Sequence, residues 1–154
     1  MGNHDTRPIW ARVKEWAQAD ALSERADYLA RRLKPEAEAG DFARELAGNT
    51  GKVVHAYFAD LLVSTAENAV VFFADLFGME ETYNAPGTVG PENWSLRVPR
   101  DYRERYEADA RSLRALNIPY ALALALRSPL APDAPDELIR ELEAAATEPV
   151  AAGR

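Results

Sequence analysis

The chain contains no cysteine, which excludes disulfides, thiolate metal sites and cysteine nucleophiles. Histidine is almost as scarce. His4 and His55 are the only two, and they form no i, i+4 pair of the kind an imidazole metal site uses. Positive charge is also in deficit: 18 Lys and Arg stand against 25 Asp and Glu, a net charge of -7. That balance argues against nucleic acid as a partner, because non-specific binding relies on clustered Lys and Arg. No apolar run approaches the roughly 20 residues needed to span a bilayer. Residues 1–8 are polar and lack the apolar stretch of a signal peptide. The expectation is a soluble cytoplasmic protein with no membrane partner. Glycine-rich phosphate loops are missing too: Gly48 and Gly51 flank Asn49-Thr50 without the Lys-Ser/Thr ending. Neither a metal nor a cofactor is expected.

What is present is a helix-forming chain of one domain's length, 154 residues, 47% of them hydrophobic. Thr6 and Pro8 mark a helix start. Ile9, Trp10, Val13, Trp16 and Ala17 then share one face. Leu22, Ala26, Leu29 and Leu33 suggest a second helix, stopped by Pro35. Asp41 to Ala47 reads as a short helix closed by Gly48. Thr50 could cap another, with Val54, Tyr57, Phe58, Leu61 and Leu62 as its stripe. Tyr102, Tyr106, Leu113 and Leu116 mark a helix interrupted by Pro119, and Tyr120 to Leu126 reads as one more. Pro129, Pro132 and Pro135 read as a linker, and Glu137 to Ala146 as an acidic amphipathic helix. The domain reading is therefore a unit over 1–128 and a Pro-rich linker with an acidic helical tail over 129–154.

Residues 69–74 (Ala-Val-Val-Phe-Phe-Ala) break this pattern. A continuous β-branched and aromatic run suits a strand buried on both faces. A buried strand needs neighbours for its backbone groups, and no second convincing strand is found. Asp75, directly after it, reads as a cap on the following Leu76-Phe77 turn. His55 reads as a half-buried helical histidine.

Two short polar motifs carry the functional signal. The first is Asn3-His4-Asp5-Thr6; the second is Asn84-Ala85-Pro86-Gly87-Thr88, followed by Glu92-Asn93-Trp94. Both lie outside periodic segments, where loops carry function more often than packing. Asp5 suits binding of sugar hydroxyls or stabilisation of developing positive charge, with His4 bonding the same ligand. The plainer reading is a turn in which Asp5 or Thr6 caps the helix that follows. Pro86-Gly87 reads as a turn, which Asn84 could hold through its own backbone or leave free to bind a ligand. Trp94 could stack on a sugar or anchor its loop in a core.

Taken together, Asn-His-Asp-Thr ahead of a Trp-bearing helix, then Asn-x-Pro-Gly-Thr and Asn-Trp-x-x-Arg, resemble the C-terminal part of the 4-alpha-glucanotransferases, the amylomaltases or disproportionating enzymes. The resemblance runs from about Gly2 to about Arg127 and is most specific over Asn84 to Arg97. It implies an α/β fold, the last portion of a (β/α)8 barrel, mostly helical with one buried strand over 69–74. It also implies retaining transfer of α-1,4-glucan segments between maltodextrins. In that family an Asp nucleophile, a Glu acid/base and a second Asp that stabilises the transition state share the chemistry. By motif position Asp5 matches the second Asp, His4 a sugar-binding neighbour, and Asn84 a residue of the glucan groove. Retaining transfer needs two carboxylates flanking the bond, about 5–5.5 Å apart. The resemblance places both upstream, so the expectation is a piece of a longer enzyme, inactive alone and completed by an N-terminal barrel portion. The alternative is a self-standing helical module that binds glucan or protein without catalysis.

Overall fold

The computed structural model of the chain describes residues 3–148. Residues 1–2 and 149–154, which include the ends of both expected domains, lie outside the described residues.

Among the described residues eight helices follow one another: α1 (Ile9–Gln18), α2 (Leu22–Leu33), α3 (Glu36–Ala47), α4 (Thr50–Leu62), α5 (Phe73–Leu76), α6 (Tyr102–Arg111), α7 (Ile118–Leu126) and α8 (Asp136–Thr147). Helix α4 is the centre of the assembly and packs against α1, α2, α3 and α7. Its sequence explains the position. Val53, Val54, Ala56, Phe58 and Ala59 are buried, so more than one stripe of the helix faces the interior. A helix apolar around most of its circumference must be covered on several sides. Small residues let the neighbours come close, and Gly51 is the clearest case: a Cβ there would sit 2.4 Å from the Leu113 carbonyl oxygen.

Helices α2 and α3 form a hairpin around Pro35, which ends the first and precedes the first turn of the second. Leu29, Leu33, Phe42 and Leu46 close its interior. The third helix thus starts one turn and more before the expected Asp41. Asn49, not Thr50, caps α4: its Oδ1 accepts the Lys52 N–H at 3.0 Å. Pro119 opens α7 instead of interrupting a helix, because it lies in the first turn, where the missing N–H does no harm. The turns at 128–135 bring α8 back onto α7, where Ile139 is buried and Arg127 grips Glu143.

The expectation of an α/β fold, the last part of a (β/α)8 barrel with a buried strand over 69–74, is overturned. Among the described residues there is no strand and no sheet. Residues 69–72 have no regular structure, and Val70 is 86% exposed. Phe73 to Leu76 instead closes into one helical turn, with Leu76 N–H donating to the Phe72 carbonyl and Phe77 N–H to that of Phe73. Gly78, at φ +73, then reverses the chain, and Met79 N–H returns to the Ala74 carbonyl. The physical reason lies in the backbone. A β-branched run is buried as a strand only where flanking strands take up its N–H and C=O groups. Lacking them, the chain satisfies those groups locally after Phe72. The aromatic pair then packs on Tyr83, with Phe73 and Tyr83 perpendicular at 5.5 Å between centroids.

Among the described residues no helix is long and apolar enough to cross a membrane.

Candidate functional site

The two polar motifs meet in space. Each is first built locally. In the N-terminal motif the Asn3 N–H donates to Thr6 Oγ1 at 2.8 Å, and Asn3 Oδ1 accepts the Asp5 N–H at 2.9 Å. Thr6 is spent on this turn and does not cap α1; Pro8, which occupies the cap position, has no side-chain acceptor to offer. In the second motif the Thr88 N–H and hydroxyl both donate to the Ala85 carbonyl, across a turn with Pro86 and Gly87 at its corner. Gly87 stands at φ +78, which its lack of a Cβ permits. Asn93 fastens this turn to the chain beyond it: its Oδ1 accepts the Ala85 N–H at 2.9 Å, and its Nδ2 donates to the Thr88 carbonyl at 3.1 Å.

Asn84 is therefore free of turn duty and reaches across. Its Nδ2 donates to Asp5 Oδ1 at 2.6 Å, seventy-nine positions away in sequence. The other carboxylate oxygen, Oδ2, lies 3.2 Å from His4 Nε2. Both side chains stay open to water, at 50% exposure for His4 and 41% for Asp5. The His4 ring lies 5.5 Å from that of Trp94, tilted by 31°, and Trp94 meets Tyr83 edge-on at 5.2 Å. The result is a carboxylate held from two sides, beside amide and imidazole groups and an exposed indole. Hydroxyl-rich ligands match such a mixture of acceptor, donors and apolar face. All three residues singled out as site residues, Asp5, His4 and Asn84, belong to this one cluster.

No family model, no curated protein and no solved structure matches this chain. The cluster's chemistry must then be read from its own atoms. Its framework is set deeper in the fold. Asp75 is fully buried, and its Oδ1 accepts the Ile9 N–H at 2.7 Å; its backbone carbonyl accepts Trp10 Nε1–H at 2.7 Å. Asp75 thus serves as the cap that α1 lacks in its own sequence. These bonds hold α1, four residues after Asp5, against α5, which leads into the Asn84 loop.

Sequence reasoning missed Tyr83 and Asn93 as parts of the site, and Asp75 as its brace. Asn93 carried a signal: an Asn three residues after Gly90, in a segment without periodicity, is a side chain suited to bonding local backbone. The distant partner of Asp75 carried none. His55 also differs from expectation. It is completely buried, in contact edge-on with Trp10 and Tyr120, and far from solvent chemistry. Among the described residues no group of three or more His, Asp or Glu is placed to hold a metal.

Proposed function

We propose that this chain binds α-1,4-glucan at the Asp5–His4–Asn84 cluster and acts in 4-alpha-glucanotransferase chemistry, the transfer of glucan segments between maltodextrins with retention. The observation that carries the reading is the 2.6 Å bond from Asn84 Nδ2 to Asp5 Oδ1. It joins the two motifs on which the glucanotransferase resemblance rests, and it joins them by their polar side chains. In this reading Asn84 orients the Asp5 carboxylate. His4 and the carboxylate bind sugar hydroxyls, and the negative charge faces the positive charge that develops at the anomeric carbon. Asp5 is an auxiliary group. Nucleophile and acid/base are two further carboxylates, and the resemblance assigns neither to a residue of this chain. The chain alone therefore binds glucan and does not transfer it.

Two measurements test this. Calorimetric titration with maltoheptaose should show saturable binding that Asp5→Asn weakens. A maltotriose disproportionation assay on the same chain should yield no glucose and no longer maltodextrins. Absence of maltoheptaose binding at millimolar concentration would remove the glucan reading. Products free of host enzyme would show that the carboxylate pair lies within this chain.

A second reading, a helical binding module without any part in catalysis, is favoured by one observation: no buried side-chain polar atom among the described residues lacks a hydrogen-bond partner. A core satisfied in this way is that of a self-standing unit. Cooperative thermal unfolding of a monomer that binds glucan and yields no transfer products would favour this second reading.

A further inference from the structure

Among the described residues three other than glycine have positive φ: Asp20 at 56°, Leu113 at 56° and Trp94 at 63°. The first two end helices. The Ala21 N–H reaches back to the Trp16 carbonyl, and the Arg114 N–H to that of Asp109, the six-to-one bond of a helix stop that places its penultimate residue in the left-handed region. Trp94 follows no helix. A bulky side chain in that conformation is strained, and glycine would take it freely. Burial does not account for the choice, since Trp94 is 51% exposed.

The strained turn is firmly held. The Trp94 N–H donates to the Tyr83 carbonyl at 2.8 Å, and Arg97 Nη1 donates to the Trp94 carbonyl at 2.6 Å. Behind the indole, Tyr83 stands perpendicular to it and rests in turn on Phe73. Beside it lies His4, and beyond His4 the Asp5 carboxylate. An aromatic ring is thus held half out of the protein, with Tyr83 perpendicular to it, the tilted His4 ring beside it and the Asp5 carboxylate beyond. Strain kept at an exposed aromatic next to a polar cluster marks a ligand contact and not a packing position.

We propose that Trp94 is the stacking platform of the site, carrying the C–H face of a pyranose ring while His4 and Asp5 bond the hydroxyls at that ring's edge. This rests on the glucan reading above and adds to it a specificity-determining residue. The ligand class is an α-linked glucosyl unit of a maltodextrin. A mixed donor and acceptor cluster beside a half-exposed indole fits hydroxyls. An organic cation would be better served by several converging aromatic faces.

The full chain is titrated with maltoheptaose, with cellohexaose as the β-linked control, and with tetramethylammonium as the cation control. Two readouts are used: calorimetry, and shielding of tryptophan fluorescence from acrylamide. Trp10 is buried and Trp16 lies under Arg25, so Trp94 is the tryptophan most open to the quencher. The expected result is shielding by maltoheptaose and a loss of affinity of about tenfold in Trp94→Gly, a difference well within reach of titration. Trp94→Tyr, which keeps an aromatic face, should retain most of the affinity. Trp94→Gly suits the φ of this position, so its fold should persist; if it does not, shielding in the unaltered chain decides. Maltoheptaose binding without shielding, or with unchanged affinity in Trp94→Gly, overturns the platform and leaves the glucan reading standing. Equal or tighter binding of cellohexaose, or binding of tetramethylammonium alone, overturns the assigned ligand class. No binding of maltoheptaose overturns both.

Discussion

Asp75 accepts the backbone N–H of Ile9 at 2.7 Å, across sixty-six positions of sequence and fully out of water. The bond gives α1 an N-terminal cap from another part of the chain. It also fixes the distance between the helix that follows His4-Asp5 and the turn that leads to Asn84.

Asp75→Ala should destabilise the fold by about 1–3 kcal/mol, the effect of leaving a buried N–H without an acceptor. Asp75→Asn keeps an oxygen for Ile9 and should lose less. Thermal unfolding followed by circular dichroism ranks the two. An unchanged midpoint in Asp75→Ala would mean that the cap contributes nothing.

His55 predicts a pH dependence. Its Nε2 accepts the Asn117 N–H at 2.9 Å, so the proton sits on Nδ1, 2.7 Å from the Gly51 carbonyl that receives it. Burial lowers its pKa from 6.5 to about 4, and backbone hydrogen bonding to Gly51 and Ala115 opposes this only in part. The folded value is depressed, so the unfolded chain binds the proton first as pH falls. The stabilisation is complete above about pH 6.5, declines through the window down to about pH 4, and levels off below it. Over that window the loss is roughly 3 kcal/mol. In His55→Gln this contribution is gone. The gap in unfolding free energy between the two proteins, measured by urea titration, should therefore narrow from pH 7 to pH 4. A constant gap would show that His55 does not titrate as its burial implies.

Asn117 ties three helices together. Its Oδ1 caps α7 through the Tyr120 N–H at 3.0 Å, and its Nδ2 donates to the Ala110 carbonyl at 3.3 Å and the Ala146 carbonyl at 2.9 Å. Asn117→Asp keeps the cap and loses both donations. It should loosen α8 selectively, seen as faster amide hydrogen exchange over residues 136–147 with α7 still protected. Uniform acceleration across the protein would argue for general destabilisation instead.

Gly78 is held at φ +73, and a Cβ there would lie 2.0 Å from the Arg114 carbonyl oxygen. The Leu116 N–H bonds to the Leu76 carbonyl just beside it. Gly78→Ala combines a strained backbone with a backbone clash, and should be among the most damaging single substitutions, seen as loss of soluble expression or a sharply lowered midpoint. Gly87→Ala has only the positive φ to contend with, since nothing lies within 4 Å of its added Cβ. It should be tolerated better.

At the site itself, Asn84→Ala should release Asp5 Oδ1 and weaken maltoheptaose binding while leaving the unfolding midpoint nearly unchanged, because the bond lies at an exposed surface. A drop in midpoint as large as that of Asp75→Ala would recast the pair as a structural clamp.

The sequence was legible where local chemistry decides. The apolar steps of Ile9, Trp10 and Val13, and of Leu22, Ala26, Leu29 and Leu33, face the core as their spacing implies. His4, Asp5 and Asn84 could be singled out by the resemblance of their motifs, since residue type alone reads as well as turn or cap chemistry. It was illegible where partners decide. Val70-Val71-Phe72 has the composition of a buried strand, yet a strand is defined by what lies alongside it, and composition says nothing of that. Asp75 looked like a local cap because its partner is Ile9, far back in the chain. His55 looked half-buried because a helical position gives no measure of how many neighbours close over it.

The contact between Asn84 and Asp5 has a temporal consequence. During synthesis the N-terminal motif emerges first, and it has nothing to bind until the second loop follows. The site is therefore complete only when α1 through α5 have left the ribosome and the chain has closed a long loop on itself, a step whose entropy is unfavourable until the helices between are packed. The Asn84–Asp5 bond then reports on the closure of α1 through α5 and on no intermediate that precedes it.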